Sequence, residues 1–125
     1  MPTALLVEDS LTDRELLTHY LQKTGLTVTS AQSSEEALRI LLSTPPDLVL
    51  LDVVLPGQSG FEFCRDLKTD ERTQNIPVII CSTKGTEADK LWGSMLGADA
   101  YLTKPVEQQQ LTQLVEQFVT SLSRS

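Results

Sequence analysis

The sequence predicts an α/β domain built on a parallel sheet with helices over both faces. Three observations carry this. Ala4-Leu5-Leu6-Val7, Leu48-Val49-Leu50-Leu51, Val78-Ile79-Ile80-Cys81 and Ala100-Tyr101-Leu102-Thr103 are near-continuous apolar runs, as strands buried on both faces require. Strand and helix patterns alternate five times, the order that right-handed crossovers produce. Each of the four runs also hands over to a polar side chain at its carboxyl end: Glu8-Asp9, Asp52, Ser82 and Lys104-Pro105.

The elements follow in order. After the first strand, a helix is expected from about Leu11 to Thr24, with Leu16, Leu17, Tyr20 and Leu21 on one face and Gly25 as its stop. The second strand, Leu26 to Ala31, is polar and alternating, which suits a sheet edge. Ser33-Ser34-Glu35-Glu36 reads as a capping box opening the second helix, which Pro45-Pro46 closes. Ser59-Gly60-Phe61-Glu62 repeats the device before a third helix carrying Phe61, Cys64, Arg65 and Leu67. The fourth helix has a thinner pattern: Thr86 is placed to cap it, Leu91, Trp92, Met95 and Leu96 recur at helical spacing, and Gly97 ends it. Leu111, Leu114, Val115, Phe118, Val119 and Leu122 form one stripe on the fifth. The tail Ser123-Arg124-Ser125 is expected to fray.

A chain of 125 residues, 40% hydrophobic, fits one domain spanning residues 1–125 with a real core. No repeat, low-complexity tract or linker interrupts it. The net charge of -7 excludes a basic surface for nucleic acid or anionic membrane. Cys64 and Cys81 lie inside apolar patterns and read as buried, reduced thiols. The lone His19 falls off the apolar face of the first helix and reads as a solvated residue. With neither a leader pattern nor a membrane-length run, the expected location is the cytoplasm.

In sheets of this kind ligands bind outside the carboxyl ends of the strands. Three carboxylates, a hydroxyl and an ammonium are therefore expected at one mouth. If Glu8, Asp9 and Asp52 converge, each pair at ~4 Å repels by roughly 4 kcal/mol at an effective dielectric of about 20. Such a cluster takes up a proton or a cation, and its hard oxygens suit Mg²⁺. Asp52, alone after the central strand, can act as a nucleophile toward phosphorus. Metal and Lys104 would then neutralise the phosphoryl oxygens, and Ser82 could donate to one of them. A cis Lys104–Pro105 bond would aim the ammonium over the mouth. Taken singly, these residues read as caps or solvated loop positions. Complementary groups on four strand ends do not.

Together, Glu8-Asp9-Ser10, Asp52 with Leu55-Pro56-Gly57 and Gly60, Pro77 through Ser82, and Gly97 through Pro105 resemble the CheY-like receiver domain of two-component response regulators over the whole chain. The resemblance implies a flavodoxin-like (βα)5 fold with strand order 2-1-3-4-5 and a single-domain response regulator. It implies Asp52 as phosphoacceptor from the histidine of a sensor kinase or phosphotransfer domain. Mg²⁺ would be held by Asp9, Asp52 and the Val54 backbone carbonyl, with Glu8 acting through water. Ser82 and Tyr101 would form the switch, reshaping the face of the fourth helix, fifth strand and fifth helix for a target protein, as a monomer or a phosphorylation-dependent dimer.

Some positions depart from the commonest family pattern. Val54 and Lys84 stand where many relatives carry an acid or amide able to orient water, so slow self-hydrolysis is expected. Thr83 replaces a frequent alanine and is expected to narrow access to Asp52. Trp92 is expected to pack, the alternative being a partner contact on the output face.

The competing reading is a phosphorylation-independent interaction module that keeps this fold. The complete set of acids and lysine argues against it. A haloacid dehalogenase type of phosphatase would want an acid where Val54 stands. A nucleotide or flavin site would want glycines where Glu8-Asp9 stand. The expected role is thus a switch or relay acting through protein contacts, and not an enzyme beyond its own phosphorylation and dephosphorylation.

Overall fold

The computed structural model describes residues 1–119. Its elements alternate as β1 (Thr3–Val7), α1 (Leu11–Lys23), β2 (Thr27–Ala31), α2 (Ser34–Ser43), β3 (Leu48–Leu51), α3 (Gly60–Thr69), β4 (Val78–Ser82), α4 (Glu87–Met95), β5 (Ala100–Thr103) and α5 (Gln108–Phe118). The five strands are parallel, in the order β2-β1-β3-β4-β5. This is the flavodoxin-like arrangement. The polar strand β2 lies at an edge.

Side chains of a strand alternate between faces, and that period divides the core in two. Ala4, Leu6, Leu48, Leu50, Ile79 and Cys81 pack beneath α1 and α5 with Leu17, Leu21, Leu111 and Val115. Leu5, Val7, Val49, Leu51, Val78 and Ile80 face the other way, against Ala37 and Leu41 of α2 and Phe63, Cys64 and Leu67 of α3. Both cysteines are free and buried, and burial pushes their thiols up to about 11 for Cys64 and about 12 for Cys81. They stay protonated at neutral pH. No helix among the described residues is long and apolar enough to cross a membrane.

The helix ends differ in detail from expectation. The Ser33 hydroxyl accepts from Glu36 N–H, but the Glu36 carboxylate accepts from Gln32 N–H at 2.7 Å, one residue before the cap. Ser59 accepts from Phe61 N–H rather than from Glu62, and Gly60 N–H is tied to the Val53 carbonyl at 3.0 Å. The reciprocal box forms instead at α4, between Thr86 and Asp89. Gly25 and Gly97 follow α1 and α4 with φ of 97° and 102°, the left-handed stop that glycine adopts without strain. Leu26 is buried ahead of β2 rather than within it.

Two packing expectations are corrected. Leu16 is exposed, one step around α1 from Leu17, so the buried stripe is Leu17 and Leu21 with Tyr20 half-covered. Trp92 is 49% exposed, beside exposed Leu91 and Met95. The residue that α4 buries is Gly93. A Cβ there would lie 3.0 Å from the Tyr101 ring and 3.1 Å from Ile80, so the tyrosine fills that face of α4 and the indole points elsewhere. Leu122 and the tail Ser123-Arg124-Ser125 lie outside the described residues.

Candidate functional site

The parallel register brings the carboxyl ends of β1, β3, β4 and β5 to one edge of the sheet. Glu8 N–H still bonds the Ala31 carbonyl, and Asp52 N–H bonds the Val7 carbonyl at 3.0 Å. Both acids therefore leave their strands in sheet-like alignment. Lys104 N–H bonds the Ser82 carbonyl at 2.9 Å, which ties β5 to β4 at the same level. The Lys104–Pro105 bond is cis.

The side chains converge on the lysine. Its Nζ donates to Glu8 Oε1 at 2.6 Å, Asp52 Oδ2 at 2.9 Å and Asp13 Oδ2 at 2.9 Å. Glu8 and Asp52 are buried, as is Ser82. The other oxygens are also engaged: Glu8 Oε2 accepts from Ser10 N–H and Asp52 Oδ1 from Val54 N–H at 3.0 Å. Asp52 is thus fixed on both oxygens yet keeps 6% exposure, a narrow opening toward solvent. Ser82 Oγ accepts from Lys84 N–H, and the Tyr101 hydroxyl donates to the Lys84 carbonyl. The β4–α4 turn thereby links the two expected switch residues. Thr83, Lys84 and Val54 are exposed around the mouth.

Electrostatics follows from burial. Burial raises the Glu8 carboxyl to about 7; the Lys104 hydrogen bond opposes this and the nearby Asp52 charge reinforces it. Burial also disfavours the Lys104 ammonium, but its hydrogen bonds to Glu8, Asp52 and Asp13 outweigh this and hold the group above its ordinary value. The lysine is firmly charged.

The Asp9 side chain makes no hydrogen bond to the ammonium. It is exposed, and the contact made by its residue is through the backbone carbonyl, which accepts from Arg14 along with that of Glu8. The third acid at the ammonium is Asp13, which sequence reasoning missed. Ser10 caps α1 and Asp13 sits in its first turn, where an acid reads as a partner of the helix dipole. The usable signal was its spacing: Asp13 precedes Leu17 by four and Leu21 by eight, placing a carboxylate on the buried stripe.

No group of three acid, histidine or cysteine side chains is arranged to hold an ion among the described residues. The donor chemistry nonetheless fits Mg²⁺. Two buried carboxylates already share a cation, and the cluster of three acids and one ammonium keeps an excess negative charge when ionised. Mg²⁺ usually takes one or two carboxylates and keeps several waters.

Comparison with known proteins agrees with this architecture. The family model of the response regulator receiver domain matches residues 4–116. The protein PilH of Pseudomonas aeruginosa is 42% identical over 115 residues, 92% of this chain and 95% of PilH. The chain spans about half the length of several longer curated relatives that it also matches. Among solved structures, a response regulator from Chloroflexus aurantiacus superposes with a TM-score of 0.91 at 34% identity, covering 96% of this chain and 99% of that one. The Mn²⁺-bound form of the response regulator Rcp1 does so with a TM-score of 0.80 at 27% identity, covering 94% of each. The chain belongs to the response regulator receiver domain family, the phosphoacceptor switches of two-component signalling.

Proposed function

We propose that this chain is a Mg²⁺-dependent receiver whose Asp52 accepts a phosphoryl group from the histidine of a sensor kinase or phosphotransfer protein. The single observation that carries the reading is the convergence of Asp52, Glu8 and Lys104 at one sheet mouth, with Ser82 on the adjoining strand. Asp9, exposed beside Glu8, and the Val54 carbonyl would complete the oxygen set around the ion, with Glu8 acting through water. When bound, the ion would neutralise phosphoryl oxygens and part of the acid cluster's charge.

The chain's own residues do the rest. An Asp52 carboxylate oxygen attacks phosphorus, the O–P bond forms and the N–P bond to the donor histidine breaks. Lys104 would donate to a phosphoryl oxygen and offset the charge that gathers there. Ser82 would exchange its contact with Lys84 N–H for donation to a second oxygen. Since Lys84 also receives the Tyr101 hydroxyl, that exchange would also shift Tyr101, whose ring packs against Gly93 of α4. Contacts that differ between the two states are what shift the population. Exposed Leu91, Trp92 and Met95 support an output face on α4, β5 and α5 for a target protein, reached as a monomer or a phosphorylation-dependent dimer. The net charge of -7 supports a protein partner over nucleic acid or anionic membrane.

Incubating the protein with a small phosphodonor and MgCl2, followed by intact mass spectrometry, tests the assignment. Addition of one phosphoryl group is expected, with none on Asp52→Asn. Full labelling of that variant would refute the assignment. No labelling of the unsubstituted chain by any kinase or donor would favour a phosphorylation-independent interaction module.

A further inference from the structure

We propose that Asp13 is a positioning residue of the acceptor site: its carboxylate retains the Lys104 ammonium while Glu8 and Asp52 turn to a divalent cation. The proposal rests on the phosphoacceptor reading above.

Three features of the molecule carry it. An ammonium has three N–H donors, and in this structure Glu8, Asp13 and Asp52 take one each. A cation that takes the oxygens now facing Nζ can do so only if the lysine gives up those contacts. The three acids also differ in access to water. The side chains of Glu8 and Asp52 are 1% and 7% exposed, whereas that of Asp13 is 37% exposed. Glu8 and Asp52 hold the buried charge that a cation would seek. Asp13 stands at the rim, where water can share the solvation of a lysine that leans outward. Finally, Asp13 belongs to a fixed element: it lies in the first turn of α1, on the face that buries Leu17 and Leu21, and its N–H is held by Ser10 Oγ at 3.3 Å. A carboxylate so placed can keep the ammonium near the mouth, within reach of an incoming phosphoryl oxygen, without obstructing the ion.

The sign of the effect follows. Without the Asp13 charge, the lysine depends on Glu8 and Asp52 alone, and a cation that takes their oxygens leaves it no charged partner. Mg²⁺ binding should weaken.

Isothermal titration of the unphosphorylated protein with MgCl2 at pH 8 tests this, on the unsubstituted chain, Asp13→Asn and Glu15→Gln. Glu15 is exposed on the same helix and is not among the lysine's partners, so its variant changes net charge equally without touching the site. Asp13→Asn is expected to raise the Kd for Mg²⁺ by about fivefold to tenfold, the scale of one charged hydrogen bond at a half-exposed position. Glu15→Gln is expected to change it by less than about twofold, as screening of an exposed charge requires. Equal weakening in both variants would reduce Asp13 to its share of net charge and overturn the proposal. So would unchanged binding by Asp13→Asn. If the unsubstituted protein takes up no Mg²⁺, the acceptor reading itself falls, and the proposal with it.

Discussion

Lys104→Met keeps the stem of the side chain and deletes its charge, so three carboxylates lose a shared partner at once. The structure sets the scale of the loss. Glu8 Oε1 and Asp52 Oδ2 both lie within hydrogen-bond distance of Nζ, and their side chains are 1% and 7% exposed. Two ionised carboxylates at a separation of ~5 Å repel by about 3 kcal/mol at an effective dielectric of about 20. That matches the roughly 3–5 kcal/mol typical of breaking a buried ion pair by removing one partner. Asp13, half-exposed, adds little.

Protonation limits the damage, and this makes the prediction specific. Burial already holds the Glu8 carboxyl up at about 7, and loss of the ammonium must push it further up. A carboxyl raised in the folded state binds its proton more tightly there than in the unfolded chain. Stability therefore falls as pH rises from the unfolded value of about 4.5 through the folded one. Urea unfolding without metal is expected to show Lys104→Met destabilised by about 3 kcal/mol at pH 8 and by about 1 kcal/mol at pH 5. MgCl2 at pH 8 should restore more stability to the variant than it adds to the parent, since it supplies the missing charge. An equal deficit at both pH values, or no extra response to MgCl2, would refute the picture of a lysine neutralising a buried acid cluster.

Further substitutions test other parts of the structure. Gly60→Ala would place a Cβ 2.1 Å from the Asp52 carbonyl oxygen and 2.5 Å from Val53 Cα, backbone atoms that cannot step aside. A loss above about 2 kcal/mol is expected in urea unfolding, and a midpoint like the parent's would show that this approach is looser than described. Trp92→Ala is expected to lose less than about 1 kcal/mol, because a half-exposed indole forfeits far less than a buried one; a larger loss would return Trp92 to the core. The phosphoryl group on Asp52 is expected to survive for minutes or longer, because exposed Val54 and Lys84 offer no acid or amide to orient an attacking water. Decay within seconds, followed by mass spectrometry after removal of donor, would contradict this.

Legibility varied with the kind of information that each feature needs. The strands and the groups that follow them were legible because run and polar side chain are covalently adjacent: once β3 ends at Leu51, Asp52 has no other place to stand. Trp92 was not. Its spacing put it on a helix but could not say which face the sheet would claim, and a glycine turned out to be the inward residue. The cap hydroxyls of Ser33 and Ser59 were correctly placed, whereas the acid that answers each depends on the path of the chain before the helix. Asp13, which carried no expectation, stands at the ammonium for a similar reason. Adjacency to Glu8 suggested that Asp9 would share its surroundings, but successive residues leave a strand in different directions. A helix turn delivers Asp13 to the ammonium instead.

The strand order also explains which residue types can form this centre. β3 is central, with β1 and β4 beside it and β5 one strand further out. Neighbouring strands lie about 4.8 Å apart, so β5 stands about 10 Å from β3. A short aspartate suffices on β3, since the site is built around it. A serine suffices on β4, next door. Only a long side chain can span from β5 across β4 to Asp52 and on to Glu8 beyond it, and among cationic side chains lysine offers a flexible stem with a compact head that can serve three acceptors. A shorter side chain at position 104 would leave Glu8 and Asp52 facing each other with no internal cation. The lysine thus holds the acid cluster together in the absence of a metal. For the same reason an ion or phosphoryl group entering this mouth would compete with the acids for it, so the contacts that neutralise the acid cluster would also bear on how readily the site loads.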